Sequence, residues 1–213
     1  MTVEDLAEPL LQGRQVRLEP LTHAHIYGLV KAADADRSLY QLSFVPEGLA
    51  EVGRYVADAV ALRDAGTAVP FAIVRTEGGE VIGSTRFFEL ERWAWPLGHE
   101  RSGRTFPDVC EIGYTWLARS AIRTGANTEA KYLMLAHAFE AWKSLRVCFH
   151  TDERNERSRS AIARIGGTFE GLLRSHRIAT DHTPRNSARF SILADEWPEL
   201  KVRIAQMMQT RTR

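Results

Sequence analysis

Residues 108–117, DVCEIGYTWL, carry the strongest strand signal in the chain, and soon afterwards the pattern turns helical. Leu135, Ala138, Phe139 and Trp142 stand at i, i+3, i+4 and i+7, the apolar stripe of a helix over 128–144. Only a short polar loop, ARSAIRTGAN, separates the two. A strand that runs straight into an amphipathic helix must lay that helix back on its own sheet, so this unit dictates a layered α/β arrangement.

The remaining segments supply the sheet and its cover. Val16 and Leu18 alternate with Arg17 and Glu19 in a strand over 14–21, and Thr22 offers an N-cap to a helix through about 33. A second helix is expected over 50–65, ended by Gly66. Strands at 70–76 and 81–90 flank a Gly78-Gly79 turn. A strand at 146–151 leads to a helix over 155–165, stopped by Gly166-Gly167, and strands at 168–178 and 189–193 close the chain. The expected class is α/β (α+β): one mixed sheet with helices on both faces. Residues 1–213 are read as a single domain, with residues 91–107, rich in Trp, Gly, Pro and basic residues, as a loop insertion. That loop is either an irregular surface hairpin or a substrate-facing flap.

With 44% hydrophobic residues in 213, the chain can bury a core and is not a disordered one. A net charge of +1 excludes a uniformly basic nucleic-acid surface, yet the balance is uneven. Residues 1–91 hold eight basic and fourteen acidic side chains, whereas 92–189 hold sixteen and ten. Cys110 and Cys148 lack metal-pair spacing and sit in apolar stretches, so they are expected as buried thiols. The histidines have no ligand-spaced partners and no metal site is expected. No apolar run reaches membrane-spanning length, the N-terminus lacks a secretory pattern, and a cytoplasmic location is the default.

Walker-type, G-x-G-x-x-G and G-x-S-x-G motifs are absent. What remains is the turn Arg123-Thr124-Gly125-Ala126-Asn127-Thr128 at the start of the helix. A helix start presents unpaired N–H groups and partial positive charge, Gly125 admits a close backbone approach, and Arg119 and Arg123 flank the turn. The segment is therefore either a phosphate cradle or a plain strand-to-helix connection capped by Asn127 or Thr128.

The run EIGYTWLARSAIRTGANTEAKYLMLAHAFE resembles the coenzyme-A loop of GNAT-superfamily N-acetyltransferases, and more narrowly the Rim-type branch that acetylates ribosomal-protein N-termini. A second block, TDERNERSRSAIARIGGTFEG, resembles that branch's Asn-x-x-Ser with a later glycine: Asn155, Ser158 and Gly166. The likeness spans about 14–204. It implies a mostly antiparallel GNAT sheet with a V-shaped split between two parallel central strands, 108–117 and 146–151. It also implies acetyl-CoA as co-substrate, the pantetheine arm near Trp116, Leu117 and Asn155, and the pyrophosphate on the amides of Arg123 to Thr128. An amine acceptor and acetyl-CoA are the implied partners, with a homodimer among the assemblies open to the fold.

Attack of an amine on a thioester requires a base and an acid for the leaving sulfur. Glu111 is the one carboxylate within its strand, on the face expected to carry Val109, Gly113 and Thr115, and it is the candidate base beside a structural reading. Ser158 takes the family's serine position as candidate acid, against the alternative of a first-turn helix serine. The resemblance to the Rim-type branch implies a protein or peptide N-terminal α-amino group as favoured acceptor, and the alternative is a small amine such as an antibiotic, polyamine or amino acid. Ile122 and Asn127 depart from the family pattern and keep a non-catalytic acyl-CoA sensor in view. Arg154, Arg157 and Arg159 would be the basis of an RNA-binding alternative.

Overall fold

The computed structural model describes residues 9–210, so the first eight residues of the N-terminal stretch lie outside it. Eight strands form one sheet in the order β1-β2-β3-β4-β5-β6-β8-β7. They are β1 Leu11–Gln12, β2 Val16–Pro20, β3 Ala68–Arg75, β4 Val81–Glu91, β5 Val109–Leu117, β6 Arg146–Asp152, β7 Thr168–Ile178 and β8 Pro184–Leu193. Every neighbouring pair is antiparallel except β5 and β6. That parallel pair holds only from Val109–Arg146 to Glu111–Cys148. Beyond this point the two strands part, giving the expected V-shaped split with Glu111 at its vertex.

Helices cover both faces. α1 (Ile26–Asp34) and α2 (Gly48–Asp64) bury Leu29, Val52, Val56 and Ala59 with Ala72, Val74 and Trp116 of the sheet. α3 (Ala126–Ala136), α4 (Glu156–Arg164) and α5 (Trp197–Thr210) cover the other face, where Phe71, Phe87, Ile112, Met134, Leu135 and Trp142 form the larger core. Each such buried side chain contributes roughly 1.5–3 kcal/mol of transfer free energy.

Most of the sequence-derived elements appear within a few residues of their expected bounds, but the short β1 is new and β8 starts at Pro184 rather than 189, and the helices differ in three further ways. α3 begins at Ala126 rather than 128, because Gly125 takes the N-cap position and Thr124 Oγ1 accepts from the Ala126 N–H at 3.2 Å. It passes at His137 into a π turn that carries Ala138 and Phe139 into the core. α5 is absent from the sequence reading. Trp197, Leu200 and Ile204 stand at i, i+3 and i+7, and all three are buried against the α3 face, with Trp197 stacked on Phe139.

Candidate functional site

Two bulges shape the vertex. Between Arg86–Gly113 and Ser84–Trp116, β5 carries one residue more than β4; between Phe88–Glu111 and Glu91–Val109 the excess lies on β4. A non-glycine residue with positive φ sits in each, Tyr114 at 51° and Glu89 at 48°. Such values are uncommon for bulky side chains and mark a strained, over-determined backbone. The β5 bulge corrects the face assignment. Glu111 and Gly113 share the α1/α2 face, but Thr115 is turned to the α3 face. There its Oγ1 meets Thr85 Oγ1 at 2.8 Å and Lys131 Nζ of α3 at 2.5 Å.

Lys131 is 6% exposed, and its polar partners are these two hydroxyls. With no carboxylate beside it, burial pushes the ammonium down to about 7. The sequence reading passed over Lys131, as a lysine in a helix is ordinarily solvated. Its spacing of one turn from the buried Met134 and Leu135 was the available signal.

Glu111 is 2% exposed. Arg177 of β7 donates to its Oε2 at 3.2 Å and to Glu89 at 2.6 Å, bridging the two carboxylates. His150 Nδ1 of β6 lies 2.8 Å from the same Oε2 but outside hydrogen-bonding alignment, so both its ring nitrogens are sealed without a hydrogen-bond partner. The His176 ring lies 4.9 Å from that of His150. Burial and then the neighbouring Glu111 charge raise the Glu89 carboxyl, against the pull of Arg177. Four strands thus bring Glu89, Glu111, His150, His176 and Arg177 together, and only Glu111 among them was a sequence candidate. The β7 irregularity between Leu173 and Arg177, which swings His176 and Arg177 inward, has no local sequence signature.

At the mouth of the split, Arg123 takes the left-handed conformation (φ 62°) while Gly125 is ordinary helical backbone (φ −74°). A Cβ at Gly125 would lie 2.4 Å from the Gln15 side-chain amide. The first α3 bond runs from Glu129 N to Gly125 O, leaving the Asn127 and Thr128 amides without acceptors among the described residues. Asn127 Oδ1 is buried and unpartnered, and Arg164 of α4 reaches Thr128 Oγ1 at 3.3 Å. Open amides and a guanidinium fit a phosphate-bearing ligand, whereas the Asn127 Oδ1, an acceptor, would need a donor on that ligand. Arg164 was not a sequence candidate.

The other candidates are placed less simply. Arg119 pairs with Asp36 at 3.4 Å, and Arg123 is exposed. Trp116 is buried with its Nε1 unpartnered, and the Leu117 carbonyl already accepts from Tyr40 Oη at 2.9 Å. Asn155 caps α4, its Oδ1 accepting from Ser158 N at 3.0 Å. Ser158 Oγ has no hydrogen bond among the described residues. Asp152 lies four steps along β6 from the Glu111 level, about 13 Å, and Ser158 follows on α4; no hydrogen bond joins Glu111 and Ser158 among the described residues.

Contacts bear on two further expectations. The loop at 92–107 is fastened at the closed end of the split, where Asp108 accepts from Trp93 N, Trp95 Nε1 and Arg101 Nη1. Arg101 and Arg104 then hold the Lys143 and Trp142 carbonyls. The arginines of the RNA-binding alternative are spent internally: Arg154 on Asp152 and Asp181, Arg157 on the Leu39 carbonyl, Arg159 on the Glu153 carbonyl. Both cysteines are buried free thiols, and no metal-holding cluster occurs among the described residues. No helix there is long and apolar enough to cross a membrane.

Residues 15–168 match the sequence profile of the acetyltransferase (GNAT) domain family. No curated protein matches the chain. Among solved structures it is similar to a GCN5-related N-acetyltransferase from Brucella melitensis, with TM-score 0.79, 26% identity, and 94% of this chain and 86% of that one covered. Two structures share the fold at lower identity. Mycobacterium smegmatis RimJ in complex with CoA-disulfide has TM-score 0.73 and 21% identity, covering 90% and 88%. The ribosomal-protein-S5-alanine acetyltransferase from Vibrio fischeri has TM-score 0.68 and 15% identity, covering 89% and 98%.

Proposed function

The chain belongs to the GNAT acetyltransferase family and is an acyltransferase, and from that premise we propose that it acetylates a primary amine by direct attack, with a protein or peptide N-terminal α-amino group as favoured acceptor. The observation that carries this reading is the β5–β6 split itself, with a buried carboxylate at its vertex and unspent helix amides at its mouth. The likeness to RimJ and to the S5-alanine enzyme supports the choice of acceptor as analogy only.

Acetyl-CoA, when bound, supplies the activated acetyl thioester. Within the turn Arg123 to Thr128, the open Asn127 and Thr128 amides would hold its pyrophosphate, with Arg119, Arg123 and Arg164 adding charge, while Trp116, Leu117 and Asn155 would line the arm. Glu111 accepts the proton of the acceptor ammonium, directly or through water. Arg177 keeps that carboxylate in place. Ser158 Oγ, free of internal partners, donates toward the leaving sulfur.

Acetyl-CoA at millimolar concentration is expected to raise the melting temperature, as any ligand of the native state must. Free thiol should then be released with turnover across a panel of amines and peptides. No thermal shift would end the coenzyme reading. Sustained silence in the thiol assay with proven binding would favour the sensor instead.

A further inference from the structure

Arg86 of β4 is 3% exposed, yet no carboxylate and no hydrogen-bond acceptor among the described residues meets its guanidinium, and its Nε is sealed from solvent. Its neighbours on the same face differ: Arg177 pairs with Glu89 and Glu111, and Arg146 and Arg189 with Glu170. What Arg86 has instead is a cradle of rings, with its Cζ 4.1 Å from the Tyr114 centroid and 5.0 Å from that of Tyr55 on α2. Aromatic faces compensate the flat sides of a guanidinium. They do nothing for the N–H groups that radiate in its plane, whose fork matches a carboxylate bidentately. Burying a charge without such a partner is costly.

Position joins this orphan to the chemistry. Arg86 lies opposite Gly113 and Phe88 opposite Glu111, so Arg86 and Glu111 are diagonal cross-strand neighbours, their Cα atoms about 7–8 Å apart by sheet geometry. Gly113 keeps the intervening ground low, and a Cβ there would meet the Phe88 ring at 2.8 Å. Tyr114, which covers Arg86, is the residue held at positive φ in the bulge.

We propose that Arg86 anchors an anionic group of the acceptor, which is an amine bearing a carboxylate a few bonds away. A free amino acid and a peptide with an acidic N-terminal residue both have this chemistry. The inference rests on the acetyl-transfer reading and narrows its acceptor.

The test compares isosteres on the intact protein with acetyl-CoA. Free amino acids are set against their amides, and peptides beginning with Asp or Glu against those beginning with Asn or Gln. Turnover is read as kcat and KM, and binding by calorimetry. Wild type should prefer the carboxylate member of at least one pair by roughly tenfold to a hundredfold, mostly in KM and in affinity. Preference confined to the first set identifies free amino acids, and to the second, acidic N-termini. R86Q should lose far more with the carboxylate member than with the amide, and R86K should recover part of that loss. Equal handling of both members by wild type overturns the proposal, as does an equal loss on both in R86Q. If R86Q does not fold, the wild-type isostere pairs and R86K still decide. A missing acetyl-CoA thermal shift would instead break the transfer reading, whereas shift and turnover with no carboxylate preference would break only the role of Arg86.

Discussion

At the mouth of the β5–β6 split the polar groups are backbone amides from adjacent positions, 123–128, whereas at the vertex they are side chains from β4, β5, β6 and β7. The mouth draws on a general property of helix starts, which any sequence that ends a strand and begins a helix will present. The vertex depends on two bulges and on a β7 irregularity that carries Arg177 to Glu111. On the proposed reading, the phosphate cradle draws mainly on local structure and the acceptor site on tertiary placement. Substitutions at the two ends should accordingly fail in different ways.

The largest separation is expected from Glu111→Gln. Loss of the base should lower kcat by ~10²–10⁴, with the acetyl-CoA thermal shift unchanged. Wild-type turnover in this variant would show that Glu111 is structural.

Lys131→Met addresses the hydroxyl pair that sits behind the bulge. The folded-state value of Lys131, about 7, lies below its ordinary 10.5, so between these limits the unfolded chain binds more protons than the native one. Stability should therefore rise with pH across that window, by up to about 1.4 kcal/mol per unit, and the full penalty is present below pH 7. Urea midpoints measured at several pH values should show this slope in wild type and lose it in Lys131→Met. An unchanged slope would mean that the ammonium is solvated.

A smaller effect is expected at the closed end. Burial favours the neutral form of Asp108, but donors from Trp93, Trp95 and Arg101 outweigh it and hold the carboxyl below its ordinary 3.8. The stabilisation is present above that value and fades as pH falls through the lower folded one. Asp108→Asn should cost about 1–3 kcal/mol in denaturant unfolding, with turnover retained. Lost turnover in a stable variant would return the 92–107 loop to the substrate.

The smallest effect belongs to Gly125→Ala. The nearest atoms to its added methyl belong to the end of the Gln15 side chain, which can swing aside, so stability should change by less than ~1 kcal/mol. A marked fall in acetyl-CoA affinity with stability intact would show that the glycine serves the phosphates rather than Gln15.

The legibility of these parts follows their construction. The β5–α3 unit was legible because strand alternation, apolar stripe and turn lie within one window, and only the cap slipped, from Asn127 or Thr128 to Gly125. Glu111 was legible as the lone carboxylate of its strand. Its partners were not: Glu89, His150 and Arg177 stand 22, 39 and 66 positions away by number, and no periodicity links them. Thr115 was placed on the wrong face because alternation assumes an uninterrupted pleat, which the Tyr114 bulge breaks. α5 went unread although its stripe was present, since Trp197, Leu200 and Ile204 gain meaning only beside Phe139 and Tyr132.

By itself the sequence determined the order of β2 to β8 and of the first four helices, the helical cover on both faces of the sheet and the helix start that suits an anion. Those properties arise from interactions between residues a few positions apart. The tertiary structure alone decided where β5 and β6 part, which carboxylates share Arg177, and that Arg86 is buried between two tyrosines without an acid. Burial and pairing of charge depend on which distant strands are neighbours, and that is settled only when the sheet closes.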